Sequence, residues 1–304
     1  MKRLVAVLLA ALMLALPAVA EPNMEGTAEY LREAVPDPCF GCEWIALGMW
    51  AGKCLPEEWA NAYVPALEET LAECGGDLGA KRTEYAKLTL AVTALGLDAQ
   101  DIGGYDLVAP LREFDAVVRQ GLNGAIFALI ALDSGEYAAP QDLRRQYVEY
   151  ILARQTEDGG FAFSGSNADA DMTAMTLCSL AAYRQEDAVG TAVDAAVECL
   201  SQMQREDGGY ASCGTPNAES CAQVILALTS LGIDVEDARF VKNGTSVAEA
   251  LDRYRLEDGS YAHLEAGNTA MLATQQAFLA LAAMERAKDG EAGVYCIRSG
   301  GTHA

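Results

Sequence analysis

Residues 205–234 read REDGGYASCGTPNAESCAQVILALTSLGID. An acidic Gly-Gly-aromatic turn leads into a polar loop and then into an apolar helical run stopped by Gly232. The same order recurs upstream, in QTEDGGFAFSGSNADADMTAMTLCSLAAY from Gln155, and downstream, in RLEDGSYAHLEAGNTAMLATQQAFLALAAM from Arg255. With Glu157, Glu206 and Glu257 as markers, the steps are 49 and 51 residues. A period of about fifty holds two helices and two connections, so the chain reads as a series of helical hairpins.

Working outward, six Ala- and Leu-rich runs stand out: Trp44–Lys53, Lys87–Leu97, Gly124–Leu132, Ala174–Tyr183, Ala222–Gly232 and Thr274–Met284. Each is apolar nearly all round, as a helix buried on most sides must be. Between them lie amphipathic segments, Pro56–Cys74, Ala109–Gln120, Gln141–Arg154, Ala188–Gln204 and Val247–Tyr254, which suit an outer layer. Strand signals are scarce. The expectation is an all-α (α/α)6 toroid, six inner helices ringed by roughly six outer ones. A linear solenoid of the same units would leave a large apolar surface at each end, which favours closure. In the turns, glycines reverse the chain, and Phe161, Tyr210 and Tyr261 fold back between neighbouring helices.

The N-terminus, MKRLVAVLLAALMLALPAVA, has a basic start, a short apolar run and small residues at a cleavage position. That pattern is a secretory signal peptide over 1–20, so the mature chain is expected to be exported and to begin near Glu21. A lead-in over 21–38, the toroid over 39–287 and a tail over 288–304 complete the expected organisation. The chain carries a net charge of −23, which argues against nucleic acid and anionic lipid surfaces. No later run is apolar for long enough to span a bilayer. Nine cysteines in an exported chain suggest some disulfides and at least one free thiol. Cys39 and Cys42 form a CxxC, but no second CxxC accompanies it, so structural pairing is favoured over metal or redox work.

The turns Gln155…Gly159-x-Phe161 and Gln204…Gly208-x-Tyr210 resemble the QW motifs of the terpene cyclases; Arg255 replaces Gln before Gly259-x-Tyr261. The chain is therefore similar to the terpene cyclase and protein prenyltransferase superfamily, whose fold the cobalamin carriers share. The resemblance covers 140–285 most clearly and 40–139 more weakly. It implies an α/α toroid. It also implies that the stretch Asp169-Ala170-Asp171-Met172-Thr173-Ala174 falls on the Asp-x-Asp-Asp-Thr-Ala of class II cyclases, with Asp171 on the proton-donating acid, Asp169 on its partner and Met172 where the last Asp would be. Glu219-Ser220-Cys221 stands where the prenyltransferases begin a zinc site, but Thr274 lies near the place of their later His, and His263 sits in the loop before it.

The inner helices should present their starts to one mouth of the ring. The residues expected there are Asp169, Asp171 and Thr173; Glu219 and Gln223; Asn268 and Gln275; and, from the weaker copies, Glu84, Tyr85 and Asn123. Carboxylates and amides around an apolar hole make a ligand mouth. Many of these residue types also cap helices. Trp44, Trp50 and Trp59 offer a stacking platform or, at helical spacing, core. Because each enzymatic signature is incomplete, the first expectation is binding of a small or apolar ligand, or of a partner segment, without catalysis. The alternatives are a cyclase with Asp171 as general acid and a cobalamin carrier that would need a second domain from a partner. No cofactor or metal is expected.

Overall fold

The computed structural model describes residues 24–297. The expected signal peptide and the last seven residues lie outside them. The described residues form α1 (Met24–Ala34), α2 (Glu43–Ala51), α3 (Glu57–Cys74), α4 (Arg82–Ala94), α5 (Phe114–Val118), α6 (Leu122–Ser134), α7 (Leu143–Leu152), α8 (Ala170–Leu180), α9 (Asp187–Met203), α10 (Ala218–Ser230), α11 (Val247–Asp252) and α12 (Met271–Lys288). The even-numbered helices are the apolar ones. Each packs on the next, and α12 packs on α2, so the inner ring is closed. The odd-numbered helices form the outer layer. Among them α3 turns Trp59, Tyr63, Leu67 and Leu71 inward at a spacing of four, which defines one buried stripe.

The sixth outer helix is α1. It lies in the stretch expected as a lead-in, and it packs on α12 at the far end of the chain. Its Ala28 and Leu31 are buried. The circle is thus closed by the first and last described helices. At the opposite end of the chain, residues after α12 fold back across the lower face. Val294 is buried there, and Gly293 lies against Ser230 at the end of α10.

The repeated turns explain how neighbouring pairs lock together. Gly159, Gly208 and Gly259 all hold φ between +81° and +86°. A Cβ on them would come within 3.0 Å of the Ala195 carbonyl oxygen, 2.7 Å of that of Thr245 and 2.6 Å of that of Gly26. Each turn therefore meets the backbone of the following outer element, and only glycine leaves room. The Gln155 amide donates to the carbonyls of Gly159 (2.7 Å) and Ala192 (2.8 Å). The Gln204 amide repeats this to Gly208 (2.8 Å) and Phe240 (2.7 Å). In the third copy Arg255 turns to Asp252 instead, and the Gly259 carbonyl accepts from the Thr27 hydroxyl of α1 at 2.9 Å. Phe161, Tyr210 and Tyr261 are fully buried beneath these turns.

Two minimal hairpins decorate the ring, β1 (Ala211–Ser212) with β2 (Thr215–Pro216), and β3 (Val241–Lys242) with β4 (Thr245–Ser246). Both turn through a pair of residues at positive φ, Cys213-Gly214 and Asn243-Gly244, as two-residue hairpin loops require. The buried Cys178, Cys199 and Cys221 are free thiols. Cys39, Cys42, Cys54, Cys74, Cys213 and Cys296 are free as well, so the expected structural pairing is not found among the described residues.

The close approach at the turns is testable against a control in the same region. Gly214 shares the positive φ of Gly208 but has open space where a Cβ would stand. Gly214→Ala should cost about 1 kcal/mol, the left-handed penalty alone. Gly208→Ala should cost roughly 1–3 kcal/mol more, because the methyl overlaps the Thr245 backbone. Denaturant midpoints measure both; equal costs would mean that the contact contributes nothing.

Candidate functional site

Most residues of the inner helices are buried. The partly exposed ones recur at the second and sixth positions, counted from each helix start: Asn123 and Phe127, Asp171 and Met175, Glu219 and Gln223, Leu272 and Gln276. Positions four apart share one helical face, so this face looks onto the ring axis. The alternation of inner and outer helices makes the inner ones parallel. Their N-termini therefore gather at one mouth.

Three of these helices frame a cleft of 440 Å³. Asp171 and Met175 come from α8, Glu219 and Gln223 from α10, and Leu272 and Gln276 from α12. The β1–β2 hairpin adds Ser212 and Thr215, and Asn217 and His263 complete the lining. Across the ring, Trp44 of α2 meets Phe127 of α6 edge-on at 5.9 Å. These helices are not neighbours in the ring, so the pair spans that half of the mouth. Phe163, Leu264, Met271 and Leu272 are the exposed large apolar side chains among the described residues. All four sit in the loops before α8 and α12 or at the start of α12, on the mouth side.

The acidic groups are arranged around α8 and α10. Asp169 caps α8: one carboxylate oxygen accepts the Met172 N–H at 3.1 Å and the other accepts the Ser212 hydroxyl at 2.7 Å. Asn217 caps α10 in the same way, accepting the Ser220 N–H at 2.8 Å. Glu219 meets the His263 ring at 2.8 Å. Asp171 is different. Its Oδ1 is buried without a hydrogen-bond partner. Burial pushes its carboxyl up to about 6, and the neighbouring Asp169 and Glu219 charges push the same way. The Ser220 and Ser212 hydroxyls stand near enough to pull back against this, but Ser212 gives its proton to Asp169. Gln223 donates to Gln276 at 3.2 Å, and its own Oε1 is buried and unpartnered.

The structure thus brings Asp169, Asp171, Glu219 and Gln223 together, with Asn123 at the same level on α6. It places the other expected residues elsewhere. Thr173 is buried under the turn, where its hydroxyl accepts the Phe161 N–H at 2.9 Å; Thr274 does the same for Tyr261. Tyr85 points into the preceding loop, accepting the Leu78 N–H at 2.8 Å and donating to the Gly76 carbonyl. Glu84 pairs with Lys87, which also reaches the buried Glu43 at 3.2 Å. Asn268 lies in an exposed loop, and Gln275 is buried beside the Gln276 that lines the cleft. Of the tryptophans, Trp59 stacks on Tyr63 in the core, Trp50 lies under Arg286, and Trp44 alone reaches the mouth. Met172, where a second acid of the cyclase pattern would stand, is buried. Met175, Ser212, Thr215, Leu272 and Gln276 are site residues not singled out in the sequence. The period of four from Asp171 and Leu272 was the signal for Met175 and Gln276. Among the described residues no group of three or more His, Cys, Asp and Glu side chains is placed to hold a metal ion.

Comparison with known proteins agrees with this architecture. The model of the prenyltransferase alpha-alpha toroid domain matches residues 112–238. Drimenyl diphosphate synthase from Streptomyces showdoensis is 28% identical over 226 residues, 73% of this chain. The chain spans 40% of that relative's length. Among solved structures, the type II terpene cyclase MstE from Scytonema superposes with a TM-score of 0.57 at 13% identity, covering 88% of this chain and 98% of that one. An unsaturated glucuronyl hydrolase from Bacillus sp. GL1 gives 0.60 at 13%, with 91% and 98% covered. The chain folds as an α/α toroid, as the repeated turns implied, and is similar to the prenyltransferase toroid domain over residues 112–238. The structural matches share the fold and leave the chemistry open.

The state of Asp171 predicts a pH signature. Its folded value lies above the ordinary carboxylate value, so the stability it contributes is present below about pH 4 and is lost as pH rises to about 6. Asp171→Asn should therefore stabilise the protein at pH 7.5 by about 1–3 kcal/mol, and the gain should fade to nothing near pH 3.5. Thermal midpoints of both proteins across this range measure it. A gain that grows toward acid would overturn the assignment.

Proposed function

We propose that this toroid binds a small ligand of mixed polarity at its mouth and does so without turning it over. One observation carries the reading: a single cleft joins three inner helices and offers Met175 and Leu272 beside Asp171, Glu219, Gln223, Asn217 and Gln276. Apolar walls with a few convergent polar groups are what small-molecule sites share. The cleft is also open. Polar side chains line it beside the partly exposed Met175 and the exposed Leu272, which is poor shelter for a carbocation. An exported location, with the apolar N-terminal run removed, is part of the same proposal. So is a partner segment covering the rim of Phe163, Leu264, Met271 and Leu272.

The test is native mass spectrometry of the protein purified from its source. One small-molecule adduct per chain is expected, with a thermal midpoint above that of the stripped protein. Met175→Arg, which fills the cleft from a partly exposed position, should abolish both. Identical masses and midpoints before and after stripping would remove the proposal.

A second reading, acid catalysis on an alkene, is favoured by Asp171 itself. Its carboxyl is partly buried and unpartnered on one oxygen, and the resemblance of its sequence stretch aligns it with the cyclase acid. A value of about 6 describes a weak acid, however, and the buried Met172 supplies no second carboxyl to strengthen it. Incubation with a linear polyprenyl diphosphate distinguishes the readings. Binding alone predicts no cyclic product; catalysis predicts product that disappears in Asp171→Asn.

A further inference from the structure

Three buried side-chain oxygens at the mouth have no partner: Asp171 Oδ1, Gln223 Oε1 and Asn123 Oδ1. They come from α8, α10 and α6 respectively, consecutive helices of the inner ring, and from the axis-facing positions of each; the first two line the cleft. A fourth atom, the Ser220 hydroxyl oxygen, is also unpartnered, in a residue that is fully buried and stands beside Asp171. All can accept hydrogen bonds. A buried acceptor left unmade costs about 1–3 kcal/mol, and native proteins rarely tolerate several in one place.

The cleft has no cationic donor of its own to offer them. Its lining holds no Lys or Arg, the His263 ring faces Glu219, and the Gln223 amide is spent on Gln276. Lys87, on the other side of the mouth, is engaged by Glu43 and Glu84. The local charge is also one-sided, with Asp169, Asp171 and Glu219 on adjacent helix starts. The aligned helix N-termini oppose this with partial charges of about half a unit each, spread around the whole ring.

We infer that the ligand of this site carries a primary ammonium head, whose N–H groups fill the unpartnered acceptors of Asp171 and Gln223, and an aliphatic body lying on Met175 and Leu272. An ammonium brings three donors and a positive charge to a place with acceptors and negative charge. A neutral hydroxyl brings one donor and no charge. A carboxylate brings no donor and meets repulsion. The inference rests on the mouth being a small-ligand site, and it names the chemistry of that ligand.

Three probes of equal chain length separate the two claims: n-octylammonium, n-octanol and octanoate, titrated calorimetrically into the full mature chain at pH 7.5 and low salt. The expected order is ammonium first, at least tenfold tighter than octanol, with octanoate undetectable. Asp171→Asn and Gln223→Leu should each bring the ammonium within about threefold of octanol. Glu58→Gln, the same charge change on the exposed outer layer, should leave the preference intact. If octanol binds as well as the ammonium, the mouth is a ligand site but the head-group inference is wrong. If Glu58→Gln weakens the ammonium as much as Asp171→Asn does, the preference reflects net charge and the inference is equally wrong. If no probe binds, the small-ligand reading falls and takes the inference with it.

Discussion

The ring depends on one contact made three times, a turn glycine pressed against the backbone of the next outer element. Backbone-to-backbone contact tolerates little error, because neither side has a rotamer to adjust. The Gln155 and Gln204 amides, and Thr27 in the third copy, fasten the same junction with hydrogen bonds. The aromatic ring two residues on is then trapped in the core. Its carbonyl accepts the N–H of the residue that precedes the following inner helix, Asp169, Asn217 or Ala270. One short turn therefore sets three things at once: where the outer helix ends, how its neighbour lies, and where the next inner helix begins. The mouth is a product of that third setting.

The energetics of the mouth follow from its position. Helix starts attract polar residues, and two of those here are ordinary caps, Asp169 and Asn217. Asp171 is two residues further in and faces the axis, so it loses water without gaining a matched partner. Burial therefore outweighs the favourable helix terminus. The opposite half of the mouth is closed by Trp44 and Phe127, and the lower face is crossed by the segment around Val294. The chemistry is confined to one sector of one end of the ring.

Much of this was legible in the sequence, and the failures are instructive. The six inner helices announce themselves because burial on most sides leaves few polar residues in them beyond their first turns. That same property erases their phase. In α12 nothing distinguishes Gln275 from Gln276 by composition, and the register is set only by where the helix starts. Tyr85 and Thr173 were expected at the mouth because they stand at helix starts; each is diverted by a backbone partner in a neighbouring loop that sequence spacing does not reveal. The role of α1 was hidden for another reason. Its apolar face is short, and its partner lies at the other end of the chain. Met175 and Gln276, by contrast, follow from the four-residue period once one axis-facing residue is known.

That last separation bears on how the molecule is made. The Thr27–Gly259 hydrogen bond joins residues 232 positions apart, so the first described helix has no seat until nearly all the other described helices exist. Joining ends so distant costs about 5 kcal/mol in chain entropy before any contact repays it. Until then Ala28 and Leu31 face solvent, and so does the flank of α12 that will receive them. Biosynthesis must therefore carry an unzipped horseshoe to its final step, and the interval before it snaps shut is when chaperones, aggregation or a neighbouring nascent chain compete for the same vacant edge.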